Sequence, residues 1–153
     1  MIDTFRDPAR WQFFTDQVMG GVSTGTVQVA DGVLRLSGDV STKNRGGFIQ
    51  ARIDLPDGLA TDTAAFVMSV RGNGEGYFLH LRTRGSMLPW QYYQAPFASS
   101  ADWTEVRVPL TAFKPSGALL RDLPRPQDIR SVAVVAYGRD YRADVEVRSL
   151  TVE

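Results

Sequence analysis

Apolar and polar residues alternate along most of the chain, and this period of two constrains the fold more than any other feature of the sequence. Successive side chains of a strand point to opposite faces, so the alternation is typical of strands with one buried face. Gly, Pro, Asp and Ser separate the segments, and no amphipathic helix lies between them, which predicts an all-β fold, an antiparallel β-sandwich or jelly roll. The predicted strands are 25–29, 33–37, 47–55, 65–71, 77–84, 90–97, 103–109, 131–137 and 143–152.

Two turn signals and one irregular segment complete the predicted layout. Asp31-Gly32 and Asn73-Gly74 are typical of hairpin turns, because Gly, Asn and Asp tolerate a positive φ. The proline-rich segment 111–128 is expected to be a long surface crossover, with a single helical turn around 118–120. A length of 153 residues suits one domain, 1–153, with a single core.

Charge and composition exclude several classes of function. The chain has 17 basic and 17 acidic residues, so it lacks the basic excess of proteins that bind nucleic acid or anionic lipid. Without cysteine and with one histidine, it has no thiolate nucleophile, no disulfide and no multi-histidine metal site. We therefore expect no metal and no cofactor. We also expect a cytoplasmic protein, because the sequence contains neither an integral membrane segment nor a secretory signal.

His80 is the only side chain that could supply an imidazole base. It lies in the middle of a predicted strand, on the same side as Arg82. Because no nucleophile elbow accompanies it, we favour a hydrogen-bonded histidine on a polar sheet face, and we assign no catalytic residue. The alternative is a small enzyme acting on a sugar or nucleotide-sugar, with His80 as the acid/base and Asp16 or Arg82 beside it. This alternative requires a concave pocket around His80.

Three predicted strands each have one apolar face, so their opposite faces would form one surface if the strands share a sheet. We call this surface the polar-aromatic face, and its predicted members are Gln50, Arg52, His80, Arg82, Trp90, Tyr92 and Gln94. Flat rings beside planar donors and acceptors are suited to binding a sugar, a peptide or a partner loop. The alternative is that arginine stems and aromatic rings simply cover an exposed sheet.

Several segments resemble the complex I intermediate-associated protein 30 family. They are 16–23, 36–52, 70–77, 93–97, 103–106, 108–110 and 113–115, and they span nearly the whole chain. The resemblance implies a galactose-binding-domain-like jelly-roll sandwich. It also implies an assembly role, because the mitochondrial relatives are similar to chaperones in associating with respiratory complex I assembly intermediates rather than catalysing a reaction.

The resemblance also identifies two family loops. Their matching residues are Asp16, Met19, Gly20, Gly21 and Ser23 in one loop and Ser41, Asn44, Gly46 and Gly47 in the other. Short polar side chains beside glycines can hydrogen-bond the backbone locally, which favours a structural role for these loops over direct contact with a ligand. Both roles remain open on the sequence alone.

The sequence therefore predicts a non-catalytic binding or assembly module. The polar-aromatic face and the adjoining glycine-rich loops would hold either a partner protein or a carbohydrate-like ligand. A further alternative is a domain whose exposed strands mediate self-association only.

Overall fold

Two antiparallel sheets make up the protein in a computed structural model that describes all residues from 1 to 153. One sheet has six strands in the order β1-β4-β10-β6-β7-β9, and the other has five in the order β2-β3-β11-β5-β8. The strands are β1 (Trp11–Thr15), β2 (Thr24–Ala30), β3 (Val33–Val40), β4 (Phe48–Asp54), β5 (Ala65–Gly72), β6 (Gly76–Thr83), β7 (Tyr93–Ala98), β8 (Thr104–Pro109), β9 (Lys114–Pro115), β10 (Ile129–Tyr137) and β11 (Tyr141–Val152). The predicted all-β antiparallel sandwich is confirmed.

The remaining regular structure is limited to single turns of 3-10 helix. These lie at Pro8–Arg10, Asp16–Met19, Lys43–Arg45, Leu110–Ala112 and Pro126–Asp128. No helix of the structure has the length and apolar character needed to cross a membrane.

The inward faces of both sheets form one apolar core. A cluster of 30 buried apolar residues joins them. On β4 the inward side chains are Ile49, Ala51 and Ile53, as the alternation predicts, and burying each large aliphatic side chain contributes about 1.5–3 kcal/mol. The opposite side chains of the same strand are left on the outer face of the six-stranded sheet, where the candidate site lies.

Each of the nine predicted strands corresponds to a strand of the structure, but β1 and β9 were not predicted. β1 lacks clean alternation, because Phe13 and Phe14 are both partly buried although they point to opposite sides of the sheet. β9 consists of Lys114 and Pro115 only, paired with Tyr93 and Gln94. The crossover around it has 3-10 helices at Leu110–Ala112 and Pro126–Asp128, and an isolated turn at 118–120.

One of the two predicted hairpin turns is confirmed and the other is wrong. Asp31 and Gly32 have φ values of 55° and 82° and connect β2 to β3. Asn73-Gly74 instead links β5 to β6, which belong to different sheets. The Asn73 amide donates to the carbonyl oxygen of Arg142 at 2.8 Å and accepts from the Tyr77 hydroxyl at 2.6 Å, which fixes a crossover between the sheets.

The predicted strand 90–97 begins later than expected. Pairing starts at Tyr93, so Trp90 and Tyr92 precede the strand rather than belonging to it. The physical reason is that residues 84–92 form a loop whose backbone carbonyls are bound by Arg82 instead of by a neighbouring strand.

Candidate functional site

The structure places β4, β10, β6 and β7 side by side, so the strands that carry the predicted face do share a sheet. One row across the sheet runs through Arg52, Ala133, His80 and Gln94. Ala133 on the central strand is small, whereas its neighbours in the row are long. The difference in side-chain length leaves a depression of about 40 Å³, lined by Gln50, Arg52, His80, Arg82, Pro89, Tyr92, Ser131 and Ala133.

His80 is buried at the floor of this depression. Its Nε2 lies 2.8 Å from the amide nitrogen of Gln94, within hydrogen-bond distance. The Tyr92 ring stacks on the imidazole with centroids 4.2 Å apart, and the Tyr137 ring meets its edge at 5.7 Å. Burial lowers the pKa of His80 to about 3, so the ring is neutral at pH 7.

These surroundings bear on the alternative in which His80 acts as an acid/base. A neutral imidazole with such a low pKa is a weak proton acceptor, and its outer face is covered by Tyr92. Asp16 is hydrogen-bonded to Ser23 and Gly47 rather than to His80. The arrangement favours a role for His80 in supporting Tyr92 and Gln94.

Arg82 holds the loop that carries Tyr92. Its Nη2 donates to the Ser86 carbonyl oxygen at 2.9 Å, and its Nη1 donates to the carbonyl oxygens of Leu88, Pro89 and Gln91 at 3.2, 3.0 and 3.4 Å. Burial and the nearby charge of Arg52 lower the pKa of Arg82. The guanidinium therefore fixes the wall of the depression and adds a positive charge to it.

Arg52 has a different environment. Its guanidinium carbon lies 4.2 Å from the centre of the Phe14 ring, in a cation–π arrangement. Its Nε is buried and has no hydrogen-bond partner. A planar donor group is thus held in place at the depression with its hydrogen-bonding capacity unused.

Of the other predicted members of the polar-aromatic face, two lie at the depression and one lies outside it. Gln50 lines the depression, and Gln94 reaches it through its contact with His80. Trp90 does not, because its side chain is 65% exposed outside the depression while its carbonyl oxygen accepts from the Ser116 hydroxyl at 2.5 Å. Trp90 precedes β7, so the predicted strand does not place it on the sheet.

Sequence reasoning missed several residues of this face: Phe14, Ser131, Ala133 and Tyr137. Tyr92 donates to the Tyr137 hydroxyl oxygen at 3.3 Å, and burial together with Tyr137 raises the pKa of Tyr92. Ser131, Ala133 and Tyr137 belong to β10, which is almost continuously buried and therefore shows no alternation. Phe14 lies on the strand that was not predicted. Pairing of β10 between β4 and β6 was the missing information.

The predicted family loops meet at the buried carboxylate of Asp16. Its Oδ2 accepts from the Ser23 hydroxyl at 2.5 Å and from the backbone N–H groups of Gly47 and Phe48 at 2.6 and 3.3 Å, while Oδ1 accepts from the Ser23 N–H at 2.9 Å. Burial alone would raise the pKa of Asp16, but these hydrogen bonds outweigh it and lower the pKa below its usual range. Asp16 therefore joins the 16–23 loop to the start of β4.

The outward side of the 16–23 loop is apolar. Val18, Met19 and Val22 are 75%, 57% and 44% exposed, which is high for large apolar side chains in one short loop. The Asn44 amide donates to the Gly20 carbonyl oxygen at 3.2 Å and so connects this loop to the neighbouring one. The buried Asp16 below thus supports an apolar surface above, which we call the loop patch (Val18, Met19 and Val22).

A larger cavity of about 420 Å³ lies at a different place on the molecule. Its lining includes Tyr93, Leu120 and Arg121, and the guanidiniums of Arg84 and Arg125 that pair with Asp128. Leu120, Arg121 and Arg125 did not stand out in the sequence, because the crossover that contributes them has no periodic pattern. No three His, Cys, Asp or Glu side chains come together in an arrangement that could hold a metal ion.

Comparison with known proteins gives one family and one fold. A family model described as complex I intermediate-associated protein 30 matches residues 3–144. The chain shows no significant match to a curated protein sequence. Among solved structures it is similar to a family 11 carbohydrate-binding module of a cellulosomal cellulase of Clostridium thermocellum, with a TM-score of 0.81 and 12% identity over 99% of this chain and 92% of that one.

Two further structures share the fold. The same type of module from Clostridium thermocellum, in complex with a β-1,3-1,4-mixed-linked tetrasaccharide, gives a TM-score of 0.74 at 14% identity over 99% of this chain and 93% of that one. The agarase AgWH50C gives a TM-score of 0.69 at 11% identity. The match covers 100% of this chain but only 25% of the agarase chain. Identities this low show a common fold and nothing more. The resemblance and the sandwich fold expected from the sequence are confirmed.

Proposed function

The chain belongs to the complex I intermediate-associated protein 30 family, and from its family, its fold and its outer sheet face we propose that it is a non-catalytic binding module that binds carbohydrate on the polar-aromatic face. The observation that carries the proposal is the depression between Arg52 and Tyr92, in which planar donors stand beside an aromatic ring. Sugars present hydroxyls at their ring edges and C–H groups on their faces, so they match planar polar groups and flat rings.

The groups of this face are held in place before any ligand arrives. Tyr92 stacks on His80, Gln94 bonds to His80, and Arg82 holds the loop from which Tyr92 projects. A preorganised surface loses less conformational entropy on binding, which favours a ligand of modest contact area such as an oligosaccharide. The fold neighbour in complex with a mixed-linked tetrasaccharide supports carbohydrate as the ligand class for this proposal.

The test is a binding screen with the purified chain. Nuclear magnetic resonance titration with neutral and acidic oligosaccharides should shift resonances of β4, β6 and β10, and isothermal titration calorimetry should give the affinities. The variant Tyr92→Ala should weaken the binding of any ligand found, because it removes the ring beside Arg52 and His80. Trp103 of the opposite sheet stacks under Arg71 and Arg148, so Trp103→Ala serves as the matched aromatic control.

The outcome decides the proposal in a simple way. Shifts confined to the polar-aromatic face, lost with Tyr92→Ala and kept with Trp103→Ala, would support it. If no oligosaccharide of the panel binds, or if binding maps to another surface, the proposed carbohydrate function is wrong.

The loop patch favours a second candidate function, association with a protein partner. Three exposed apolar side chains on a loop fixed by a buried carboxylate are typical of a contact surface. The family takes its name from association with complex I intermediates, so we propose complex I assembly intermediates as the partner in this case.

Affinity purification of the protein from its own cells tests the second candidate. Complex I subunits should co-purify with the natural chain and should be lost with Val18→Ser/Met19→Ser. Leu119→Ser is the control, because Leu119 is 89% exposed and lies away from the loop patch. Recovery of complex I subunits unchanged in the double variant, or their absence from the natural chain, would contradict an assembly role through this patch.

A further inference from the structure

The unused hydrogen-bonding capacity of Arg52 indicates what kind of ligand the polar-aromatic face takes. Its Nε is the only buried side-chain nitrogen or oxygen in the protein that has no hydrogen-bond partner. Leaving a buried charged donor unpaired destabilises a protein, so such groups are usually satisfied by protein, water or ligand. The guanidinium of Arg52 lines the depression, and a ligand group would approach it through the Nη groups, because the Nε itself is buried.

The charges around the depression are of one sign. Arg52 is close enough to Arg82 to lower the pKa of the latter, after the larger effect of burial. None of the residues lining the depression is acidic, and His80 is neutral. The nearest acidic position on the same face of β4 is the exposed Asp54, which forms an ion pair with neither arginine. Two cations without a counterion form a site that an anion would stabilise.

The size and rigidity of the site suit a small charged group. A depression of about 40 Å³ has room for one carboxylate or sulfate group but not for a whole sugar ring. The stacking of the Arg52 guanidinium on Phe14 holds the donor fork in place. Carboxylates and sulfates can accept two parallel N–H bonds from such a fork, and charge-assisted bonds of this kind are roughly twice as strong as neutral ones.

We propose that the ligand of the polar-aromatic face is an acidic oligosaccharide and that Arg52 binds its carboxylate or sulfate group. This inference rests on the proposed carbohydrate function and narrows it to sugars with an anionic substituent. The sugar ring that bears the anion would lie outside the depression, beside Tyr92, while Gln50 and Gln94 are the neutral polar groups within reach of its hydroxyls.

The experiment compares a charged tetrasaccharide with its neutral methyl ester and with a second, sulfated ligand. Calorimetric titrations use an oligogalacturonate tetrasaccharide, the same tetrasaccharide with its carboxylates methyl-esterified, and a dextran sulfate oligosaccharide. The charged forms should bind at least about tenfold more tightly than the ester, and the difference should shrink between 50 and 500 mM NaCl as the charges are screened.

Two variants of Arg52 and two of other residues connect the effect to Arg52. Arg52→Gln should weaken the charged ligands about tenfold or more, and Arg52→Lys should restore part of the affinity because it keeps the charge but loses the fork. Arg148→Gln is the matched control, because Arg148 also stacks on an aromatic ring at 4.2 Å but lies on the other sheet. Asp54→Asn removes the nearby exposed acid and should tighten the charged ligands a few-fold.

Each result is decisive. Tight binding of oligogalacturonate or of dextran sulfate that depends on Arg52 supports the inference, and the better of the two identifies carboxylate or sulfate as the anionic group. Equal binding of the free and esterified tetrasaccharides, unchanged by Arg52→Gln, would overturn the inference and leave the carbohydrate function standing. Binding of none of the three would contradict the inference, and the neutral oligosaccharides of the first screen would then decide the carbohydrate function.

Discussion

The imidazole of His80 lies almost parallel to the phenol ring of Tyr92, with ring centroids 4.2 Å apart and an angle of 14° between the planes. The contact joins a strand to a loop, since His80 belongs to β6 and Tyr92 precedes β7. Burial of His80 beside Tyr92 favours the neutral imidazole over the charged one, so the stability of the protein depends on pH.

The first prediction concerns that dependence. The pKa of His80 is about 3 in the folded chain against 6.5 ordinarily, so the unfolded chain binds more protons between these values. The free energy of unfolding should fall as the pH drops below about 6.5, and at pH 5 the contribution of His80 amounts to about 2 kcal/mol. Urea unfolding of the natural chain should show this loss of free energy between pH 7 and pH 5. In His80→Gln the loss between the same two pH values should be smaller by the contribution of His80.

A nuclear magnetic resonance titration provides an independent check on the same group. The imidazole resonances of the folded protein should stay constant from pH 8 to pH 5. Asp16, Asp140 and Asp144 have lowered pKa values, so their effects on stability appear only below about pH 4. These effects are the same in the natural chain and in the His80→Gln variant. An ordinary histidine titration midpoint near pH 6.5 would contradict the prediction.

The second prediction concerns Arg82 and the loop 84–92. Arg82→Gln removes a charged donor from four backbone carbonyl oxygens, so the loop should open more often and the chain should lose about 1–3 kcal/mol of stability. Trypsin should cleave after Arg84 several-fold faster than in the natural chain. Arg52→Gln is the control, because it removes a neighbouring arginine that makes no bond to this loop. Equal cleavage rates in Arg82→Gln and the control would show that Arg82 does not hold the loop.

The sequence was sufficient to predict the sandwich and the inward face of its strands. On β4 and β6, the alternation identifies Ile49, Ala51, Tyr77 and Leu79 as buried, because that face of each strand meets the core. His80 on the opposite face of β6 is buried as well, which the alternation does not predict. β10 is different, since it lies between two other strands and is buried on nearly every residue. Its small residues shape the depression, yet nothing local to β10 indicates which strands flank it.

The limits of prediction were set by long-range contacts. The start of β7 depends on Arg82, which donates hydrogen bonds to the backbone carbonyl groups of the preceding loop. The role of Arg52 depends on Phe14, from a strand paired with β4 across about forty residues of chain. The loops were different, because Asp16, Ser23 and the adjacent glycines could be interpreted locally as a clasp, and the structure shows these hydrogen bonds.

The third prediction concerns the buried carboxylate. Asp16→Asn replaces an oxygen that accepts from several donors by a group that itself donates, so it should cost about 3 kcal/mol or more of unfolding free energy. Ser23→Ala removes only the hydroxyl that donates to Asp16, so it should lower the free energy of unfolding by less. Asp140→Asn is the control, since Asp140 is an exposed acid that binds Thr42 of the neighbouring loop, and its effect should be small. Urea unfolding measures all three, and a cost for Asp16→Asn no larger than that of the control would contradict the assignment.

The fourth prediction tests how closely the glycines approach Asp16. A Cβ added to Gly21 would lie 2.4 Å from the Asp16 carboxyl carbon, and one added to Gly46 would lie 2.4 Å from Oδ2. Neither glycine has a positive φ, so the clash rather than backbone strain is what an alanine would introduce. The carboxylate cannot move away without losing its hydrogen bonds, and Gly21→Ala should therefore cost about 2–4 kcal/mol.

Gly117→Ala is the matched control for this prediction. Gly117 also has no positive φ, and nothing lies within 4 Å of the position of its Cβ. Its replacement should leave the free energy of unfolding unchanged or raise it by up to about 1 kcal/mol, because alanine restricts the unfolded chain. Thermal unfolding of the two variants should separate them by roughly ten degrees for a chain of this size. If Gly21→Ala is as stable as Gly117→Ala, the carboxylate is free to move and the 16–23 loop is not fixed by it.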